Sequence, residues 1–269
     1  MSSSARPPER SPRRLGQNFL ADPNLLDAIV READLDPGAV VLEVGGGGGA
    51  LTERLAPEVA HLHVIEVDER LRGDLEPLSE AAGNVTLVWG DALRVDLRGL
   101  APPPTKMVAN LPYSIATPLL IRTISELPSL GRWVVMVQRE IADRLRAEPG
   151  TKEYGAPTVL VQLACAVELL RTVDPAVFVP RPRVGSALLG LSRTGTSASE
   201  GVAWVVRAAF AHRRQSLARS LELGRPGTLD AARRALESIG RPAGARAEQL
   251  APSDFERLAE ALVAEGVEL

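Results

Sequence analysis

Between Ala39 and Val137 the chain switches repeatedly between short apolar runs and longer stretches whose apolar residues recur at helical spacing. That alternation leaves few folds open. Ala39–Val44, Leu62–Val67, Val85–Trp89, Lys106–Ala109 and Trp133–Val137 read as strands. Segments from Ala50, from near Asp68, and at Thr117–Leu127 and Arg139–Arg146 read as helices between them. Repeated βα units of this kind predict an α/β fold with a doubly wound, mostly parallel sheet. Runs near Glu168–Val173 and Ala187–Leu191 predict an antiparallel edge. An earlier helix starts cleanly, with Asp22 as N-cap, Pro23 in the first turn and Leu25, Leu26, Ile29 and Val30 on one face.

The flanks differ from this middle. The stretch before Arg14 is polar and rich in Ser, Pro and Arg, so residues 1–14 are expected to form a flexible tail and not a secretory signal. Ser192–Gly201 reads as a linker, and everything beyond it is helical in pattern. The expected domains are therefore 15–195, the α/β unit, and 200–269, a small helical unit. No stretch has the length and apolarity of a membrane span, which predicts a soluble, cytoplasmic protein with no membrane partner. The absence of a coiled-coil pattern makes a monomer the expectation.

Composition removes several chemistries. The single cysteine, Cys165, excludes an internal disulfide and a cysteine-cluster metal site, and it lies in an apolar run that predicts a buried structural thiol. His61, His63 and His212 form no recognisable ligand set, so no metal is expected. Net charge is −3, which excludes a global electrostatic signature of nucleic-acid binding, though local distribution is another matter. Nine arginines between Arg207 and Arg246 face only Glu222, Asp230 and Glu237 in the same span. Contacts of arginine with phosphate give affinity without reading sequence, and Arg213, Arg214, Arg181 and Arg183 are the candidates.

The glycine run Gly45–Gly49 stands where the first strand of the alternation meets its helix. Glycine lets a backbone approach a ligand closely, and a loop here in a doubly wound sheet suits a nucleotide-like molecule. Glu66 closes the next strand, where a carboxylate can accept hydrogen bonds from a ribose diol. Asp91 follows the third strand, placed for the amino group of an adenine ring. Successive acids at strand ends point to ligand binding at the carboxyl edge of the sheet, yet a nicotinamide dinucleotide and S-adenosylmethionine both fit.

Asn110-Leu111-Pro112-Tyr113 follows the fourth strand at the same edge. An adenine amino group is a poor nucleophile because its lone pair is delocalised into the ring. The Asn110 side-chain carbonyl and the Leu111 backbone carbonyl can accept its two N–H bonds, which frees the lone pair for a methyl donor. Pro112 fixes the turn, and Tyr113 offers a face for an extruded base. Positioning and hydrogen bonding would carry the chemistry, without a metal.

These motifs resemble, in order, those of the KsgA/RsmA-type small-subunit ribosomal RNA adenine dimethyltransferases. The carriers are Gly16 to Leu20, Glu43 to Thr52, Val64 to Asp68, Gly90-Asp91-Ala92, Asn110 to Pro118, Phe178 to Ala187 and Ala209 to Arg214. The resemblance implies a Rossmann-like methyltransferase using S-adenosyl-L-methionine, with donor contacts from Asn18, Leu20, Gly45, Glu66, Asp91 and Asn110. Gly47 and Ala92, in the same motifs, are grouped with them. It implies that Tyr113 and Phe178 flank the target base, while the arginine excess makes the helical unit the expected RNA-binding domain. The implied reaction is dimethylation of N6 on two adjacent adenines in the 3′-terminal hairpin of 16S rRNA, in an immature small subunit. An Erm-type enzyme acting on large-subunit rRNA and a non-catalytic binding protein of the same fold are the rival readings. The chain departs from the family at Gly46, where proline is usual, at Gly48, usually larger, and at Ser114 and Gln215.

Overall fold

A computed structural model describes residues 19–20, 22–182 and 184–269, with Phe19 described by its backbone alone. The expected tail at 1–14 and the candidate residues Asn18 and Arg183 lie outside these. Among the described residues the strands are β1 (Phe19–Leu20), β2 (Val40–Val44), β3 (His61–Glu66), β4 (Val85–Trp89), β5 (Lys106–Asn110), β6 (Arg132–Gln138), β7 (Cys165–Val173), β8 (Phe178–Val179) and β9 (Ser186–Arg193). The helices are α1 (Pro23–Glu32), α2 (Thr52–Leu55), α3 (Arg72–Ala82), α4 (Ala116–Glu126), α5 (Arg139–Leu145), α6 (Ala156–Gln162), α7 (Glu200–Ala211), α8 (Leu217–Gly224), α9 (Leu229–Ser238) and α10 (Pro252–Ala264).

Seven strands form one sheet in the order β4-β3-β2-β5-β6-β9-β7. The pairs β3/β4, β2/β3, β2/β5 and β5/β6 are parallel, and β9 runs antiparallel to β6. All five residues of β2 are buried, which explains why its apolar residues Val40, Val41, Leu42 and Val44 do not alternate with exposed ones: helices cover both faces. The chain winds outward from β2 through β3 to β4 and then returns to the other side of β2 with β5. That reversal opens a crevice between the carboxyl ends of β2 and β5, the place where open α/β sheets bind ligands. Gly45 and Asn110 stand at those two ends.

Local chemistry explains several boundaries. Asp22 Oδ1 accepts from the Leu25 N–H at 3.0 Å and caps α1, with Pro23 in the first turn. β1 pairs antiparallel with β8, setting Leu20 opposite Phe178. On β3, His63 is buried and its Nε2 lies 2.8 Å from the Pro102 carbonyl; burial lowers its pKa and favours the neutral ring. Cys165 is buried, as its apolar run implies. No helix among the described residues is long and apolar enough to cross a membrane.

The division into units corrects the expected boundary. The first unit comprises the described residues up to Ala142 together with Val167–Arg193; the second comprises Asp143–Ala166 and Thr194–Leu269. Residues 143–166, expected within the α/β domain, belong with the C-terminal helices. The Tyr154 hydroxyl donates to the Leu250 carbonyl at 2.9 Å, and the Gly150 N–H to the Glu248 carbonyl at 2.6 Å. Tyr154 meets Phe210 edge-on at 5.9 Å, and Phe210 stacks on Phe255 at 5.8 Å. In a chain with so few aromatics, these three rings nucleate the second unit's core. The segment reads as a continuation of the βα pattern because its partners lie more than fifty residues further on.

Candidate active site at the carboxyl edge of the sheet

On the β2–β3–β4 side, the loop after β2 is shaped by main-chain bonds. Gly45 has a φ of +84°, and its N–H donates to the Ile65 carbonyl at 2.8 Å. A Cβ on Gly45 would meet Pro112 Cδ at 3.5 Å and the Asn110 carbonyl at 3.6 Å, so the glycine loop runs directly beside the Asn110 turn. Gly46 has no room at all: a Cβ there would come within 2.6 Å of Val64 Cγ1 and 3.3 Å of the Leu75 methyls. The departure from proline at this position goes with a loop packed onto Val64.

Glu66 is the fastener of that loop. Its Oε2 accepts from the Gly47 N–H, and its Oε1 accepts from the N–H groups of Val67 and Asp68, each at 2.9 Å. Oε2, with one such donor, keeps acceptor capacity for another. The Glu66 carbonyl in turn accepts from the Gly90 N–H at 2.8 Å, which ties the end of β4 to the end of β3. Asp91 is partly exposed and closes a single helical turn: its Oδ1 accepts from the Leu93 N–H at 2.9 Å, and its carbonyl accepts from Arg94 and Val95 at 2.7 and 2.9 Å. Ala92 is buried within this turn.

On the β5–β6 side, Asn110 ends β5 opposite Met136 of β6 and is partly buried. The Leu111 N–H donates to the Met136 carbonyl at 3.1 Å, and its side chain is buried. The Ile115 N–H then closes the turn on the Pro112 carbonyl at 3.1 Å, and α4 follows. The Tyr113 hydroxyl lies 2.7 Å from Ser186 Oγ, at the start of β9. Burial raises the Tyr113 pKa against the pull of that bond, so the phenol stays protonated.

The arrangement joins a nucleotide-type loop to an amide-bearing turn at the switch point of a doubly wound sheet. A family model for ribosomal RNA adenine dimethylase matches residues 9–262. The chain is 44% identical over 257 residues to a ribosomal RNA small subunit methyltransferase A of Rubrobacter xylanophilus, covering 94% of this chain and 95% of that one. It is 42% identical over 264 residues to the protein of that description from Lactiplantibacillus plantarum, covering 93% and 89%. Among solved structures, a dimethyladenosine transferase from Plasmodium falciparum matches with a TM-score of 0.80 at 25% identity, covering 93% of this chain and 98% of that one. The 23S rRNA methyltransferase ErmE matches with a TM-score of 0.65 at 27% identity, covering 91% and 100%. The chain belongs to the ribosomal RNA adenine dimethylase family.

Membership makes it an S-adenosylmethionine-dependent rRNA adenine dimethyltransferase with a Rossmann-like domain. The residues on the donor side fit that methyl donor: a side-chain-free cradle at Gly45, a carboxylate oxygen of Glu66 with a spare acceptor direction, and a partly exposed Asp91.

Three features carry little signal in the sequence. Glu43, at the end of β2, is fully buried; Thr52 Oγ1 donates to its Oε2 at 2.7 Å. Burial, reinforced by nearby Glu66, pushes its pKa up to about 8 against that hydrogen bond. Ser186 was legible only as part of the Phe178–Ala187 motif. Arg122, on α4, has only an (i, i+4) partner in Glu126 as a sequence signal, yet its guanidinium also bonds two carbonyls of the Asp91 turn.

Other candidates sit differently from expectation. Phe178 is only 2% exposed and belongs to the buried cluster that also holds Leu20, Val173, Met136 and Leu188, so its ring is part of the core. Leu20 is likewise buried. Arg181 is exposed, 3.7 Å from Asp174. In the second unit Arg214 is exposed, whereas Arg213 donates to the Lys152 carbonyl at 3.1 Å and lies 3.7 Å from Glu248. The local excess of arginine is smaller in space than in sequence. Glu265 pairs with Arg234 at 2.7 Å and Asp254 with Arg241 at 2.6 Å, both acids lying beyond Arg246 in the chain.

Proposed function

We propose that this chain transfers methyl groups from S-adenosylmethionine to N6 of two adjacent adenines in the 3′-terminal hairpin of 16S rRNA, within an immature small ribosomal subunit. The observation that carries the reading is the closeness of Gly45 to the Asn110–Pro112 turn, 3.5 to 3.6 Å from its missing side chain. Donor loop and acceptor turn share one edge, as a direct transfer requires.

When bound, the donor supplies an electrophilic methyl group on a sulfonium. Asn110 Oδ1 and the Leu111 carbonyl accept the two N–H bonds of the target amine, which localises its lone pair toward that methyl. The Asn110 carbonyl oxygen holds the departing N6 proton until water removes it. Pro112 keeps the turn rigid, and the Tyr113 ring supports the base from one face. Gly45, Gly47, Glu66, Asp91 and Ala92 bind the donor, with Asn18 and Leu20 completing its enclosure. Phe178 supports the acceptor pocket from within the core. Arg181, Arg183, Arg213 and Arg214 contact phosphates, and the helical unit provides RNA-binding surface recognised by shape. The enzyme works as a cytoplasmic monomer and uses no metal.

The small-subunit reading over the ErmE-like one is supported by relatives of about 40% identity described as small subunit methyltransferases. Methyl incorporation into immature small subunits, compared with naked large-subunit RNA, tests it. Dimethyladenosine in 16S rRNA is the expected product; labelling of the large-subunit RNA alone would overturn the proposal.

A further inference from the structure

The Arg122 guanidinium, with 18% of its side chain exposed, is committed on every side. Nη1 donates to the Ala92 carbonyl at 2.7 Å, and Nη2 to the Val95 carbonyl at 2.8 Å. Nε and Nη2 grip the two oxygens of Glu126 at 2.8 and 2.9 Å. A surface (i, i+4) pair alone contributes little. This pair does something else, because the carboxylate orients the fork and the fork faces the two carbonyls that the Asp91 turn leaves open at its end.

The bonds form a continuous chain. Glu66 fastens Gly47 and, through its carbonyl, Gly90; Asp91 closes the turn from Leu93 to Val95; Arg122 fastens that turn to α4. α4 is the helix that continues from the Asn110–Tyr113 turn. Arg122 is therefore the point where the donor side of the sheet edge is bolted to the acceptor side.

We propose that Arg122, oriented by Glu126, is a positioning residue that holds the Asp91–Val95 turn in its donor-binding conformation. The inference rests on the reading of Asp91 and Ala92 as donor contacts. A planar fork can serve two carbonyls and a carboxylate together, which a lysine ammonium on a flexible stem cannot reproduce.

The test is calorimetric binding of S-adenosylmethionine to Arg122→Met, Arg122→Lys and Glu126→Gln, with thermal unfolding of each variant and KM for the RNA substrate. Charge-assisted hydrogen bonds of this kind make the expected rise in Kd roughly tenfold for Arg122→Met. Arg122→Lys should recover part of that loss and Glu126→Gln should lose less than Arg122→Met, with the RNA KM within about twofold of wild type in each. A purely structural role would lower the melting temperature while leaving the Kd of the folded protein unchanged, and that result overturns the proposal. If Arg122→Met fails to fold, the other two variants decide it by the same criterion. Asp91→Ala separates the two readings: donor affinity retained there removes the assignment of the turn itself, whereas affinity lost there but kept in the Arg122 and Glu126 variants removes only the role of Arg122.

Discussion

The two sides of the sheet edge are held by different means. From β2 to β4 the loops are fastened mainly by backbone N–H groups: Gly45 on Ile65, Gly47, Val67 and Asp68 on Glu66, Gly90 on the Glu66 carbonyl. On the β5–β6 side the Asn110 turn relies more on side chains, with Leu111 and Phe178 buried and Tyr113 tethered to Ser186. The first kind of fastening depends on one side chain, the Glu66 carboxylate, and demands small residues where chains cross. Side-chain fastening ties the shape of the turn to particular residues, at a site that must admit a base extruded from RNA. Single substitutions on the β2–β4 side should therefore act on geometry, and those on the β5–β6 side on chemistry.

The largest effect is expected on the β5–β6 side. Asn110→Ala removes one acceptor aimed at the developing charge on N6, and kcat should fall on the order of 100- to 1000-fold. RNA affinity should stay close to wild type, because phosphate contacts lie elsewhere. Single-turnover methyl transfer alongside RNA binding measures both; near-normal turnover would remove the asymmetry drawn between the two sides.

Phe178→Ala comes next. Truncating a buried Phe costs about 3–5 kcal/mol through lost burial and the cavity left behind, and the structure places this ring among Leu20, Val173 and Met136. Denaturant unfolding should show that loss, with activity per folded molecule reduced less than tenfold. Stability unchanged with activity abolished would put the ring at the base instead of in the core.

How much of this was legible follows the same divide. The strands, their order of use and the acids at their ends came from local pattern, because βα alternation and strand-end motifs are encoded within a few residues of each other. The hydrogen bond from Gly47 to Glu66 is not legible, because sequence sets both residues at the carboxyl edge of the sheet without saying which atoms meet. The tertiary partners of Arg122, Tyr113 and Tyr154 lie 30, 73 and 96 residues away, and no periodicity signals such pairs. The burial of Phe178 is hidden for a related reason. Its motif advertises a ligand site, while its burial depends on β1 pairing with β8 across most of the domain.

A smaller effect is expected from Glu43, on the main-chain side. Its folded pKa of about 8 lies above the unfolded value, so between the two the native state carries a proton that the unfolded chain does not. Stability therefore falls as pH rises from the ordinary carboxylate range to about 8 and is flat, for this group, beyond it. Glu43→Gln removes the titration. Across that window the wild type should lose, relative to the variant, on the order of one to a few kcal/mol, read from urea unfolding at a series of pH values. Parallel curves for the two proteins would show that Glu43 is ionised in the fold.

The smallest effect sharpens the comparison most. Tyr113→Phe and Ser186→Ala each delete one hydroxyl of a 2.7 Å pair while leaving ring and backbone in place. A hydrogen bond of this type contributes about 1 kcal/mol, so each variant should lose roughly fivefold in kcat/KM for RNA. If the pair acts as one unit, the double variant loses no more than either single one. Donor affinity should not change, since neither hydroxyl touches the β2–β4 loops. The asymmetry between the two sides predicts this separation: a tether on the acceptor side tunes how the base is presented, whereas the donor loops are closed by bonds that no hydroxyl supplies. Additive losses would mean that the two hydroxyls act independently, and a matching loss in donor affinity would mean that the two sides move together and that Arg122 transmits more between them than position alone.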